Sequence, residues 1–406
     1  MVRSKTQGIG IALAGGGPLG AIYEIGALAA MADCLPGLNV NALDVYVGVS
    51  AGSVVAAGLA NGFTPRQMSR LFIEGASFAH PFSPEELIPL ALDEFRQRLS
   101  QLLPLVQSMS ATYRTQPTSL WRAIGQLGRA LPTGILSGEG IDAFLRRVFA
   151  QRGGTNDFRQ LKRKLFVVAT DLDNGTAVEF GRPDNAHVPI SRAVQASTAV
   201  PGLFAPVRID GRDYVDGALQ KTLHASVAIE HGAKLVLCIN PLVPFDATDE
   251  ARARAQAFHI DRLVDGGLPV VLAQAFRTLI HSRLDAGMAR YRTAYPGVDI
   301  VMFEPSRTDA TVFLTNLFSY AGRRTLCEHA YQYTRASLLA RRQSLSPRLA
   351  RYGIRLDLDA LRDPDAYLVP SELPKKQRIV QLESADTLRQ LSQTLEDLSQ
   401  WVHAQR

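Results

Sequence analysis

The sequence predicts an α/β fold built on a mostly parallel sheet. Three observations carry this expectation. An apolar run, Gly8 to Ala14, passes through a glycine loop into a helix; a second, Val45-Tyr46-Val47, passes through Gly48-Val49-Ser50-Ala51-Gly52 into another; and a helix from His224 to Gly232 leads to a strand from Lys234 to Ile239. Strands that alternate with helices in this rhythm run in one direction, and their sheet is covered by the helices between them. With 406 residues and 46% hydrophobic content, the chain can bury a sizeable core as one large domain or two ordinary ones.

The first strand ends in Gly15-Gly16-Gly17-Pro18-Leu19-Gly20, and Ala21 to Ala32 reads as a helix. This is an anion-binding arrangement, because consecutive glycines let several backbone N–H groups point into one cavity at a helix N-terminus. The spacing also matches the G-x-G-x-x-G of dinucleotide folds. Two features count against that reading: the second strand ends in a serine elbow where a ribose-binding acid is expected, and Pro18 interrupts the fingerprint. Asp44 precedes that strand instead of ending it.

At the second strand, glycines on both flanks let the backbone turn sharply, and a helix from Ala51 to Leu59 starts at the serine. Such a turn exposes Ser50 Oγ and aims a helix N-terminus at it, so one local structure presents a nucleophile and part of its charge stabiliser. The same residues also fit a tight turn in which Ser50 only caps the helix. If the two loops lie side by side at the carboxyl edge of neighbouring parallel strands, amides of one face the hydroxyl of the other, as in an oxyanion hole.

From Gly75 to Thr133 the pattern is helical, with Leu87, Leu90, Ala91, Phe95, Leu99, Leu102, Leu103 and Val106 at helical spacing, which suggests a cap over one end of the core. A helix from Gly138 to Phe149 and a strand from Leu165 to Ala169 follow. Asn174-Gly175 then turns the chain into Ala177 to Phe180 as a hairpin. Asp171, at the strand end, reads as a turn-capping residue rather than a catalytic one. The helix that begins at Ser191 stops at Pro201, and a short strand with a Gly211 turn leads to Tyr214-Val215-Asp216-Gly217-Ala218. Asp216, between an apolar strand and a glycine, reads as exposed at a loop tip and is the best candidate for a base, although a lone Asp-Gly also fits an ordinary turn. Ala253 to Ala289 is mostly helical with a break at Gly266-Gly267-Leu268-Pro269, Val298 to Phe303 is a buried strand, and Leu314 to Arg342 holds a long helix. An irregular stretch from Pro347 through Pro364 and Pro370 to Pro374 leads to an amphipathic tail, Ser384 to Gln405.

The formal net charge is +6, with arginines and acids interspersed, which allows a weak attraction to anionic surfaces. The densest basic stretches, Arg146 to Lys164 and Arg335 to Arg355, fit either headgroup contact or solvated helix faces. No aromatic and basic interleaving argues for nucleic acid. Cys34, Cys238 and Cys327 are widely separated, so neither a disulfide framework nor a zinc site is suggested, and a reducing, cytoplasmic setting fits. No signal peptide and no long apolar span is read, so contact with a membrane is expected to be peripheral.

Four motifs in this order, Gly15 to Gly20, Gly48 to Gly52, Ala196-Ser197-Thr198-Ala199-Val200-Pro201-Gly202 and Asp216-Gly217-Ala218, resemble those of the patatin-like phospholipase family. The resemblance covers roughly Ile9 to Ile239, loosens towards Arg342 and does not reach the tail. It implies a three-layer α/β/α hydrolase that cleaves acyl esters of phospholipids, lysophospholipids or neutral lipids without a cofactor or metal. It makes Ser50 the nucleophile and Asp216 its base, with the amides of Gly15, Gly16, Gly17 and Ala51 as oxyanion hole. Gly20, Gly48, Gly52, Gly217 and Ala218 then complete the motifs. On this reading residues 1–345 are the hydrolase domain, with helical insertions near 75–133 and 250–290, and residues 346–406 are a proline-containing linker and an amphipathic helix. The chain departs from the family at Leu19, where relatives commonly carry Arg or Lys, at Ala218 in place of a second glycine, and at His224 in place of proline. An inactive lipid-binding relative is the alternative from another class, and a Ser-Asp-His triad would need one of His224, His231, His259, His281 or His329.

Overall fold

The computed structural model describes residues 8–74, 133–151, 153–246, 263–314 and 320–369. The chain opens with β1 (Ile9–Leu13), α1 (Gly17–Cys34), β2 (Val45–Val49), α2 (Ala51–Ala60) and α3 (Pro65–Ser69). After β3 (Gly134–Leu136) and α4 (Glu139–Gln151) come β4 (Lys164–Asp171), β5 (Ala177–Phe180), α5 (Ile190–Ser197), β6 (Gly202–Phe204), β7 (Val207–Ile209) and β8 (Arg212–Asp216). The remainder is α6 (Ala225–Glu230), β9 (Leu235–Ile239), α7 (Gly267–Ala294), β10 (Asp299–Phe303), α8 (Ala310–Leu314), α9 (Tyr320–Ala340), α10 (Arg342–Ala350) and α11 (Leu358–Arg362).

The main sheet has the order β10-β9-β1-β2-β4-β8-β7, with β5 also paired to β4. From β10 to β4 every neighbour is parallel, and β5, β7 and β8 are antiparallel additions. Alternate residues of the parallel strands enter two separate cores, as the pleat requires. Ile11, Leu13, Tyr46, Val167 and Leu237 face α1, α2 and α9, whereas Ala12, Val47, Phe166, Val168 and Cys238 face α6 and the Leu284 side of α7. The result is the mostly parallel α/β/α architecture that the sequence predicts.

The pairing around β4 decides where Ser50 and Asp216 lie. β5 pairs with Val167 to Thr170, overlapping the partners of both β2 and β8, so β2 and β8 must share the opposite edge of β4. Along that edge Val49, the last residue of β2, pairs with Val168, and Asp216, the last residue of β8, pairs with Ala169. Two strands running in opposite directions therefore end head to head beside consecutive residues of a third.

Several boundaries differ from expectation. α1 begins at Gly17, not Ala21, because Pro18 in the first turn gives up an N–H that would be unpaired there anyway. The proposed break near Gly266 is instead a short 3₁₀ turn, Leu263–Gly266, followed by a continuous helix that accommodates Pro269 in its first turn. β3 and β6, which pair in parallel as a separate small sheet, were not anticipated. Pro347 lies inside α10, and the supposedly irregular residues beyond it pack on the domain through buried Tyr352, Ile354, Leu361, Leu368 and Val369. Buried Arg335 of α9 holds this segment by donating to the carbonyls of Ala360, Asp363 and Ala366, and Glu328 accepts from the amides of Leu368 and Val369. Residues 75–132 of the helical cap expected at 75–133, and the C-terminal helix, lie outside the described residues, among which no helix is long and apolar enough to cross a membrane.

Candidate active site

β2 runs into α2 through Ser50, whose φ of 52° and ψ of −129° put a non-glycine residue in a region that costs energy to hold. Three contacts hold it there. The Ser50 N–H donates to Ser197 Oγ at 2.8 Å, Ser197 Oγ donates to the Val168 carbonyl at 2.6 Å, and Ser53 Oγ donates to the Ser50 carbonyl at 2.5 Å. Ser53 and Ser197 are fully buried. The sequence gives neither a role beyond the place of Ser197 in one of the four motifs, which is the one local signal it offers.

Gly52 lets α2 cross the end of β1. A Cβ built there would lie 2.5 Å from the Ala14 carbonyl oxygen and 2.7 Å from the Leu13 carbonyl carbon, both backbone atoms that cannot move aside. At Gly48 it would meet the Ser53 Cα at 2.5 Å. Gly52→Ala is expected to lower stability by about 1–3 kcal/mol, because overpacking against backbone outweighs the helix propensity gained. Equilibrium urea denaturation measures this, and an unchanged or raised midpoint would show that the crossing has slack.

Asp216 closes β8, with its N–H donating to the Ala199 carbonyl at 2.9 Å and its carbonyl accepting from Thr170 Oγ1 at 3.1 Å. Its Oδ2 accepts the Ser50 hydroxyl at 2.6 Å, and its Oδ1 accepts the Ala218 N–H at 2.8 Å. The expectation of an exposed serine and an aspartate at a loop tip is corrected: Ser50 is 4% and Asp216 3% exposed, because Asp216 is the last residue of β8 and Ser50, one residue past β2, lies under the Gly15 backbone. Burial pushes the Asp216 carboxyl up to about 6, against the pull of the Ser50 hydroxyl and the Ala218 amide.

The glycine loop lies across this pair. A Cβ on Gly15 would come within 3.1 Å of Ser50 Cβ, 3.7 Å of Ser50 Oγ and 3.2 Å of the Ala218 methyl, so the backbone there passes directly over the serine. Gly16 caps α1 against Pro241 and accepts the Gly20 N–H at 3.1 Å, while Gly17, at φ 61°, borders open space. Gly217 packs on the Val168 carbonyl. The parallel register Leu13–Gly48 places the N-termini of α1 and α2 at the same sheet edge. The amides of Gly15, Gly16, Gly17 and Ala51 donate no hydrogen bond among the described residues. Leu19 packs against the main core.

Asp171 accepts from the Asp173 and Asn174 amides and from Arg212 at 2.9 Å, which makes it the turn anchor it was expected to be. His224 is buried and its Nε2 makes no hydrogen bond; burial, with the nearby Lys221 charge, pushes its ring down to about 4. His231 stacks on Phe166, His281 approaches Asp285, His329 pairs with Asp309, and His259 lies outside the described residues. In α1, Glu24 is fully buried with neither carboxyl oxygen hydrogen-bonded, and burial raises it well above the usual carboxylate range.

A serine hydroxyl bonded to a buried carboxyl, beneath unpaired amides from two helix N-termini, supplies the parts required for attack on a carbonyl. The chain is 23% identical over 216 residues to an uncharacterized protein of Acanthamoeba polyphaga mimivirus, an alignment covering 53% of this chain and 59% of that protein, so the chain spans less than two thirds of its relative. Among solved structures it is similar to VipD from Legionella pneumophila, with 17% identity, a TM-score of 0.38 and coverage of 83% of this chain and 67% of VipD. It is also similar to the type III effector ExoU of Pseudomonas aeruginosa, with 16% identity, a TM-score of 0.33 and coverage of 83% and 53%. The profile of the patatin-like phospholipase family matches residues 11–229, more than half of the 406, and this chain belongs to that family.

Proposed function

We propose that this chain is a lipid acyl hydrolase that cleaves carboxylic esters of phospholipids or lysophospholipids, with Ser50 as nucleophile and Asp216 as its base. The observation that carries this reading is the 2.6 Å hydrogen bond from Ser50 Oγ to Asp216 Oδ2, formed across 166 positions of chain. Asp216 takes the Ser50 proton as Oγ attacks the ester carbonyl, and the negative oxygen that forms is held by the amides of Gly15, Gly16, Gly17 and Ala51. Collapse expels the alcohol, which leaves with the proton from Asp216. Water then attacks the acyl-serine, Asp216 accepts its proton, and the fatty acid departs as Ser50 is reprotonated. Proton transfer by a placed carboxylate contributes about 10²–10⁴-fold, and each oxyanion donor about 10²–10³-fold.

A fluorophosphonate probe tests the proposal, since it reacts only with a serine already activated. Stoichiometric labelling, mapped by peptide mass spectrometry to Ser50, is the expected result, together with fatty-acid release from a panel of lipid esters. An unlabelled Ser50 and no release from any lipid would overturn the hydrolase and favour a relative that binds lipid without cleaving it.

A further inference from the structure

We propose that the outer face of α7 is the surface by which the protein settles on an anionic lipid bilayer. The proposal rests on the lipid hydrolase reading and assigns a partner surface to that site. Leu272, Phe276 and Leu279 stand at i, i+4 and i+7 and are 46%, 49% and 63% exposed, forming a single outward stripe. Val264 and Val271 are exposed beside it. Apolar side chains at helical spacing normally point inward, and a contiguous exposed set marks a contact surface.

The stripe is not simply a helix facing the wrong way, because the inner face of α7 is already fixed. Gln274 clasps Phe245, accepting its N–H at 3.1 Å and donating to its carbonyl at 2.7 Å. The Arg277 guanidinium lies 4.6 Å from the centre of the Phe313 ring, and His281 and Leu284 are buried. Rotating the helix to hide Leu279 would break these contacts.

Charge and position select lipid as the occupant. At 100° per residue the line through Leu272, Phe276 and Leu279 continues into Arg283 and Arg290, both exposed, so the face is apolar in its first half and basic in its second. The described acid on this helix, Asp285, projects from the other side, near His281 and Arg307. An apolar stripe continuous with arginines is the composition that inserts among acyl chains while holding anionic headgroups. The face is also joined to the active site: Arg283 Nη1 donates to the Leu219 carbonyl at 3.0 Å, three residues after Asp216. Leu219 and Leu203, the latter four residues past the Ala199 carbonyl that binds the Asp216 amide, are themselves exposed, and exposed Lys221 follows Leu219 by two residues. A bilayer against α7 therefore meets the turn that carries the base.

The test uses full-length Ser50→Ala protein and vesicles of phosphatidylcholine with or without phosphatidylglycerol, read by co-sedimentation. The background protein is expected to bind, more tightly with phosphatidylglycerol present. Leu272→Ser, Phe276→Ser and Leu279→Ser combined are expected to weaken binding about tenfold or more without changing the melting temperature. Arg290→Gln is expected to reduce only the preference for anionic vesicles. Leu279→Ser alone, at the most exposed of the three positions, provides a variant that folds if the triple variant does not. In otherwise wild-type protein, the triple variant should keep its rate on a water-soluble short-chain ester and lose about tenfold on vesicle lipid. Failure of the background protein to bind vesicles, or equal binding by parent and variants, would overturn the proposal, as would conversion of an oligomer to a monomer with vesicle binding unchanged. Absence of hydrolysis with vesicle binding intact would instead refute the enzymatic reading and leave the surface standing.

Discussion

Ser50→Ala is expected to reduce hydrolysis of any lipid ester by on the order of 10⁴-fold or more, since no acyl-enzyme forms without Oγ. The fold should survive. Alanine meets the same φ of 52° that serine meets, and the Ser197 and Ser53 contacts that hold this elbow are made to the residue-50 backbone, which the substitution keeps. What is lost is the donor to Asp216 Oδ2, and a buried carboxyl without that donor can take up a proton, retaining only its bond from the Ala218 amide. Initial rates on a phospholipid and a lysophospholipid, with circular dichroism melts on the same preparation, measure both effects. A variant retaining a tenth of the parental rate would remove Ser50 from the mechanism.

Asp216→Asn is expected to be about as inactive, and more stable than the parent. An amide cannot accept the Ser50 proton, so turnover should fall by about 10²–10⁴-fold or more. The wild-type enzyme should show the same dependence in its pH profile, with activity lost as pH falls through about 6 and the carboxylate becomes protonated. Stability moves in the opposite direction. Because burial raises the folded carboxyl above the unfolded value of 3.8, the folded state binds the proton more tightly, and Asp216 costs stability progressively as pH rises from about 4 to about 6. Above that window the cost is about 3 kcal/mol, an order-of-magnitude figure for a fully buried group. Urea denaturation of parent and variant at pH 8 and pH 4 isolates it. The gain should be present at pH 8 and absent at pH 4, and since buried Glu24 is common to both proteins its own titration cancels. A variant less stable than the parent at pH 8 would mean that the ionised carboxylate is favourably held there.

The parts of the site that depend on local chemistry were readable from the sequence. A strand, a glycine run and a helix predict the loop over Ser50, and Gly48 to Gly52 predict the elbow, because each needs only a few neighbouring residues. The burial of Asp216 was not readable, since it arises from β8 joining an edge of β4 already occupied by β2, a pairing between distant segments that leaves no local mark. The role of Ser197 was hidden for the same reason: its hydroxyl bridges Ser50, just past β2, and Val168 of β4. Pro347 misled because a proline usually ends a helix, yet here α10 continues through it to Ala350. The periodicity of α7 shows a helix but not which of its apolar residues lack a partner; the Gln274 clasp, the Arg277 contact with Phe313 and the burial of His281 and Leu284 settle its orientation.

The meeting of β2 and β8 along one edge of β4 makes the spacing of the Ser50 hydroxyl and the Asp216 carboxyl a property of strand alignment. A slip of β8 by a single residue would turn the aspartate to the opposite side of the pleat and carry its carboxyl away from the serine. Segments between the two strands can lengthen or shorten without stretching the pair, so the surroundings that select a substrate are free to diverge while the chemistry at their centre stays in place.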